Sequence, residues 1–175
     1  MKKNGGFYFT SKQAEVLLVR EKEVHDGAIP SGNSVAFCNL IKLGHLTGNE
    51  QLSHKAYELT KAFSPMIEKN PTTYAYFLIG VDLIIGPTYE VIIIGNTDKN
   101  DTKEILSTLH QKYLPRKVII FRSAENKVQD IDRIINFDLP LEKITEKATA
   151  YICKDYICMP PTTDTQKMLS LLDYI

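Results

Sequence analysis

The sequence predicts an α/β protein, with a helical segment over residues 1–87 and a small α/β domain over residues 88–175. Three observations predict it. Apolar residues recur at helical spacing up to about Ile85. After Gly86-Pro87 the period changes, and two continuous β-branched runs, Glu90–Gly95 and Lys117–Arg122, flank one helix length. Two further short apolar runs, Thr149–Cys153 and Ile157–Met159, then flank a polar pair.

Gly6-Phe7-Tyr8-Phe9-Thr10 reads as a short aromatic strand, which needs a partner because a lone strand is unstable in water. Ser11–Arg20 reads as a short strand or turn. Lys22–Ser34 is a loop, dense in Gly, Pro, Asn and Ser, that ends in a helix start where Ser31 or Ser34 can cap. Val35, Phe37, Cys38, Leu40, Ile41, Leu43 and Leu46 make the first helix apolar around most of its girth, so it is expected to be buried. Gly48 supplies a left-handed stop. Leu52, Ala56, Leu59 and Phe63 mark a second helix. Pro71-Thr72-Thr73 opens a third, with Tyr74, Phe77, Leu78, Val81 and Ile85 on its apolar face.

The β-branched runs predict two adjacent parallel strands joined by a helix over Thr102–Tyr113, with a right-handed crossover. Asp101 with Glu104 offers that helix a capping box. Ile131, Ile134 and Ile135 suggest a short helix within Ser123–Ala148. The last two apolar runs form a hairpin around Lys154-Asp155, which Pro160-Pro161 terminates. Thr163 with Gln166 resembles a capping box for a final helix through Met168, Leu169, Leu171 and Leu172.

Composition narrows the function classes. The 21 basic and 21 acidic residues cancel, so nothing electrostatic draws the chain to nucleic acid or to an anionic membrane. No apolar run approaches the roughly 20 residues that span a bilayer. The amino terminus lacks the hydrophobic region of a secretory signal. Three cysteines, Cys38, Cys153 and Cys158, are too few for a disulfide scaffold, and an odd count fits a reducing compartment, so the cytoplasm is expected.

Candidate chemistry is sparse, and no catalytic set can be assigned. The loop after Glu90–Gly95 has one glycine and two aspartates, against the three glycines of a dinucleotide fingerprint, so no nucleotide cofactor is expected. Cys153 and Cys158 face each other across the hairpin as a redox couple or as two buried thiols, the second being the commoner use of cysteine. Two ligands do not make a structural zinc site, and no metal is expected. His45, His54 and His110 read as ordinary helix residues. His25 with Asp26 can assemble a general acid or base, while Asp26-Gly27 can equally be a plain turn. Ser31-Gly32-Asn33-Ser34 offers amides and hydroxyls to an anion or polyol, or simply caps a helix.

Gly5–Thr10, Val19–Glu23, Asp26-Gly27-Ala28-Ile29-Pro30-Ser31-Gly32-Asn33-Ser34-Val35-Ala36 and Leu46-Thr47-Gly48 together resemble the YyaL-type, or spermatogenesis-associated thioredoxin-domain, family. Glu90–Gly95 and Ala150–Cys153 with Cys158 resemble the carboxy-terminal part of the same family. The resemblance implies that a thioredoxin-like domain and a helical toroid precede this part in full-length members. The helical segment would then be the last helices of an (α/α)6 toroid similar to N-acylglucosamine 2-epimerases and six-hairpin glycosidases. The family's redox cysteines lie in the thioredoxin-like domain, so Cys153 and Cys158 do not inherit that role. Loops between toroid hairpins line a sugar-binding cavity, which makes Lys22, His25, Asp26, Ser31 and Asn33 candidate ligand residues. Two functions follow. The chain is part of an epimerase-like or glycosidase-like cavity for a sugar or polyol, although no carboxylate pair is placed for glycoside cleavage. Alternatively it is a non-catalytic module that packs on the upstream domains, on another partner, or on a second copy of itself.

Overall fold

The computed structural model describes residues 5–15, 17–125, 130–135 and 142–172. They form two compact units, the first running up to Gly44 and over Asn49–Ile85, the second holding His45–Gly48 and Gly86 onward.

In the first unit Ser31 starts helix α1 (Gly32–Thr47), its hydroxyl accepting the Ser34 amide at 3.1 Å. The helix buries Phe37, Cys38 and Ile41 but leaves Leu43 exposed, so it has a wet side that its composition did not suggest. Gly48, at φ 62°, ends it. Asn49 caps α2 (Glu50–Ile67), which contributes Ala56, Leu59, Phe63 and Ile67 to the core. A single 3-10 turn, Pro71–Tyr74, leads into α3 (Ala75–Ile85). The buried face of α3 is Phe77, Gly80 and Leu83, and Ile85, expected on the apolar face, is exposed. Phe77 stacks on Phe37 at 4.1 Å between centroids and meets Phe63 edge-on at 6.2 Å. Gly80 is what permits this: a Cβ there would lie 2.5 Å from the Phe37 ring.

Gly6–Thr10 is not a strand. Asn33 takes the place of a partner strand, its Oδ1 accepting the Phe7 amide at 2.7 Å and its Nδ2 donating to the Phe7 carbonyl at 2.9 Å. Residues 11–15 and 17–20 are irregular chain with a turn and bends and form no strand.

The second unit is a four-stranded sheet in the order β2-β1-β3-β4, with β1 Tyr89–Gly95, β2 Lys117–Ser123, β3 Thr149–Lys154 and β4 Ile157–Cys158. As the β-branched runs predict, β1 and β2 are adjacent and parallel, in the register Val91↔Ile119, with α4 (Asn100–Gln111) between them in sequence. β3 joins β1 antiparallel, and β4 completes the hairpin. The central strand β1 is buried along its whole length. One face of the sheet sets Val91, Ile93, Ala150 and Ile152 against Ile105 and Leu109 of α4 and Met168 and Leu169 of α6 (Thr165–Leu171). The other sets Ile92, Ile94, Ile120 and Tyr151 against Leu46 and, from the region of α5 (Asp130–Ile134), Ile131 and Ile135.

Both expected capping boxes give way to other arrangements. Asp101 lies inside the first turn of α4, with Oδ2 accepting the Ala148 amide at 2.7 Å. Its Oδ1 accepts the Thr102 amide at 2.9 Å, and these bonds, the Ala148 amide first, hold the Asp101 carboxyl below the usual range. The cap of α6 is Asp164, whose Oδ1 accepts the amides of Gln166 and Lys167 at 2.7 and 3.0 Å. No helix among the described residues is long and apolar enough to cross a membrane.

Candidate functional site

The loop residues singled out from the sequence come together around the start of α1, and their polar atoms are turned inward. Asp26 Oδ1 accepts the Ser31 amide at 2.8 Å, and its Oδ2 accepts the Tyr76 and Phe77 amides at 2.9 and 3.1 Å. One carboxylate thereby closes the loop and satisfies two orphan donors at the start of α3. Asn33, 3% exposed, also donates to the Glu23 carbonyl at 2.6 Å. Both of its N–H donors are then in use. Ser31 and Ser34 share a hydroxyl–hydroxyl hydrogen bond of 2.9 Å. Lys22 donates to the Gly5 carbonyl and lies 4.8 Å over the Tyr8 ring. His25 is exposed and meets Tyr74 edge-on at 6.2 Å. His25 and Asp26 do not form an acid–base pair among these contacts, because the carboxylate is committed to backbone amides.

What this network builds is a cleft of about 370 Å³ lined by Phe7, Tyr8, Phe9, Glu23, Gly32, Asn33 and Ala36. The aromatic segment reaches it because Gly5 and Gly6, at φ 60° and 73°, lie tight against α2 at Glu58 and Phe63. Arg20 stands 4.2 Å over the Tyr8 ring and donates to the Thr10 carbonyl at 2.6 Å. Tyr8 and Glu23 were not singled out from the sequence, since they read as strand and loop filler until the segment is seen docked.

A second polar cluster lies in the sheet unit. Glu90, fully buried at the head of β1, has its Oε1 2.8 Å from His45 Nδ1, and its Oε2 accepts the Tyr156 amide at 3.2 Å. The His45 ring is stacked on Tyr156 at 5.2 Å, with the planes 6° apart. Burial first, then the charges of Glu90 and Asp155, push the Tyr156 phenol above its ordinary value. The reading of His45 as an ordinary helix residue therefore misses its role. A signal was present for Glu90, the one carboxylate in a β-branched run, but its partner is 45 residues away in sequence.

Beside this cluster Cys153 and Cys158 are joined by a disulfide, not present as two thiols. They are directly opposed in the hairpin, and the turn is Asp155-Tyr156, one residue later than expected. Both turn residues have positive φ, 49° and 67°, the geometry of the tight hairpin turn whose twist matches its strands. Asp155 is tied back by its amide to the Thr88 carbonyl and by its carboxylate to the Thr88 amide, each at 3.0 Å. Cys38 is a free, buried thiol, raised above its ordinary pKa by burial first. Among the described residues no three His, Cys, Asp or Glu side chains are grouped to hold a metal.

No family model matches the chain. Individual relatives do. It is 32% identical over 171 residues to spermatogenesis-associated protein 20 of Homo sapiens, covering 96% of this chain and 22% of that protein. The Rattus norvegicus protein of the same name is 32% identical over 172 residues, covering 97% and 22%. An uncharacterised protein of Caenorhabditis elegans is 26% identical over 179 residues, covering 97% and 23%. The chain thus spans about a fifth of the length of the curated relatives it matches.

Proposed function

We propose that the chain is the carboxy-terminal part of a member of the spermatogenesis-associated protein 20 family, to which it is similar over about a fifth of the relatives' length, and that it contributes one wall of a ligand cavity to a longer protein, with a sugar or polyol as the ligand class. The observation that carries this reading is the cleft of Phe7, Tyr8, Phe9 and Glu23. Aromatic faces pack against the C–H faces of a sugar ring, and a carboxylate at the rim accepts its hydroxyls. Lys22 and Arg20 over Tyr8 add positive charge for an acidic substituent. In this reading Asp26, Ser31 and Asn33 are the frame of the cavity wall, and Tyr8, Glu23 and Lys22 face the ligand. His25 stands on the exposed side of the loop. The similarity to an epimerase-like or glycosidase-like toroid is part of the proposal.

The second reading is a non-catalytic module. It is favoured by the exposure of Phe9, Leu18, Val19 and Ile29, apolar groups clustered in one stretch of sequence. These would be covered by the rest of the longer protein. Calorimetric titration of the chain and of its full-length relative with a panel of monosaccharides, sugar acids and polyols separates the two. The cavity reading expects saturable heat that falls at least tenfold in Tyr8→Ala and Glu23→Gln, with melting temperatures unchanged. Silence across the panel for the full-length protein, with a drop in melting temperature for Tyr8→Ala, favours the module.

A further inference from the structure

We propose that Cys153–Cys158 is a reversible thiol–disulfide exchange site for an external dithiol, entered at Cys158. The inference is independent of the cleft and rests on the hairpin.

The two sulfurs are unequal. Cys153 lies on β3 with no exposed surface, whereas Cys158 is partly exposed on β4, a two-residue strand at the edge of the sheet. Lys154↔Ile157 closes the turn and the Met159 amide donates to the Ile152 carbonyl, so Cys153↔Cys158 is the non-hydrogen-bonded pair between them. Such a pair brings side chains closest, and it turns the Cys158 N–H and C=O away from β3 toward the sheet edge. An extended segment of a partner can pair there and present a thiol to this partly exposed residue. Ile157, 77% exposed, and the half-exposed Tyr156 give that partner apolar footing.

The surroundings set the direction of attack. Glu90 is the cross-strand partner of Cys153, so the two side chains share one face of the sheet as immediate neighbours. A carboxylate beside a buried sulfur disfavours a lasting thiolate at Cys153 and leaves Cys158 as the reactive member of the reduced pair. In the reductive direction a thiolate of the dithiol attacks Cys158 Sγ. A mixed disulfide forms, the Cys153–Cys158 bond breaks, and its electron pair leaves on Cys153 Sγ, which takes a proton. The second thiolate of the dithiol then attacks its own partner sulfur, closing a cyclic disulfide and releasing Cys158 as thiolate. Two electrons pass from the dithiol to the protein, the protons that the dithiol thiols release go to solvent, and solvent returns one to Cys153 and, where the Cys158 thiolate is quenched, one to Cys158; the reverse sequence oxidises a dithiol.

The test uses the whole chain under native conditions. Oxidised protein is equilibrated with mixtures of reduced and oxidised dithiothreitol, quenched with acid, alkylated and mapped by peptide mass spectrometry, which reads Cys38 separately. The proposal expects two-electron reduction of Cys153–Cys158 with the circular dichroism spectrum retained, reversal by oxidised dithiothreitol, and alkylation of Cys158 at least tenfold faster than Cys153 when the reduced protein is pulsed with a maleimide. Single variants Cys153→Ser and Cys158→Ser give the same comparison one thiol at a time, and a glutathione adduct should accumulate only on Cys158 in Cys153→Ser. Reduction that requires denaturant would overturn the proposal, as would equal or reversed labelling rates, or recovery of the isolated protein with both thiols free and unable to close.

Discussion

Replacing Asp26 by alanine tests whether the loop before α1 is frame or binding site. The carboxylate accepts three backbone amides, Ser31 on one oxygen and Tyr76 and Phe77 on the other. Each hydrogen bond to a charged group contributes about 1.5–3 kcal/mol, but the values do not add when one side chain makes all three and water can replace part of them. Loss of a helix cap alone costs about 1 kcal/mol. Asp26 is only half-buried, so the total falls short of the simple sum of about 4.5–9 kcal/mol, and Asp26→Ala should cost about 2–4 kcal/mol. For a chain of this size that is a fall in melting temperature of about 4–16 °C. Thermal and urea melts followed by circular dichroism measure it. Because the chain holds two compact units, hydrogen exchange at the Tyr76 and Phe77 amides should accompany the melts, and these amides should lose protection ahead of the sheet amides. Asp26→Asn should recover part of the loss, since one amide oxygen still accepts while the amide nitrogen now faces donors. An unchanged melting temperature with weakened sugar binding in the full-length relative would refute the frame assignment and return Asp26 to the ligand.

Three further outcomes follow from the same geometry. Gly80→Ala gains about 1 kcal/mol of helix propensity but forces a Cβ against the Phe37 ring at 2.5 Å, an overpacking cost of about 1–3 kcal/mol, so urea melts should show net destabilisation, relieved by Phe37→Leu. His45→Ala leaves the buried Glu90 carboxylate, among the described residues, with the Tyr156 amide and should cost about 3 kcal/mol, whereas His45→Ala combined with Glu90→Gln should recover part of it in a double-mutant cycle. The depressed Asp101 carboxyl gives stability that is present above its unfolded value, near 4, and lost as pH falls through its lower folded value, so Asp101→Asn should be less stable than the parent at neutral pH and the two should converge in acid melts.

The sheet was legible because its signal is local. Glu90–Gly95 and Lys117–Arg122 are β-branched runs that only a doubly covered strand explains, and the parallel pairing follows from the helix length between them. The hairpin was legible too, but its turn was misplaced by one residue. Lys154-Asp155 looks more turn-like than Asp155-Tyr156, and no local rule puts a tyrosine at φ 67°. Tyr156 is held there by partners distant in sequence, its amide on Glu90 and its ring on His45. The capping boxes failed for a related reason. A carboxylate goes where it satisfies most amides, so Asp164 displaced Thr163 and Asp101 turned to Ala148. The expected strand at Gly6–Thr10 asked for a partner strand, and a single asparagine side chain met the need at Phe7.

That last substitution bears on where ligand chemistry can reside. A polar side chain can read a ligand only with donors and acceptors it has not already spent. Asn33 has spent both donors and Asp26 three acceptor positions on the backbone, so a hydroxyl could engage either only by breaking a bond that holds the loop to α1 or α3. The polar side chains of Asp26, Ser31, Asn33 and Ser34 thus have folding roles of their own. Groups less bound to their own chain stand one step outward, in the aromatic segment and Glu23 at the cleft. The loop fixes them in place, through Asn33 on Phe7 and on the Glu23 carbonyl. Substitutions within the motif would therefore disturb the cleft indirectly, with loss of stability preceding loss of binding, while substitutions at Tyr8 or Glu23 would reverse that order.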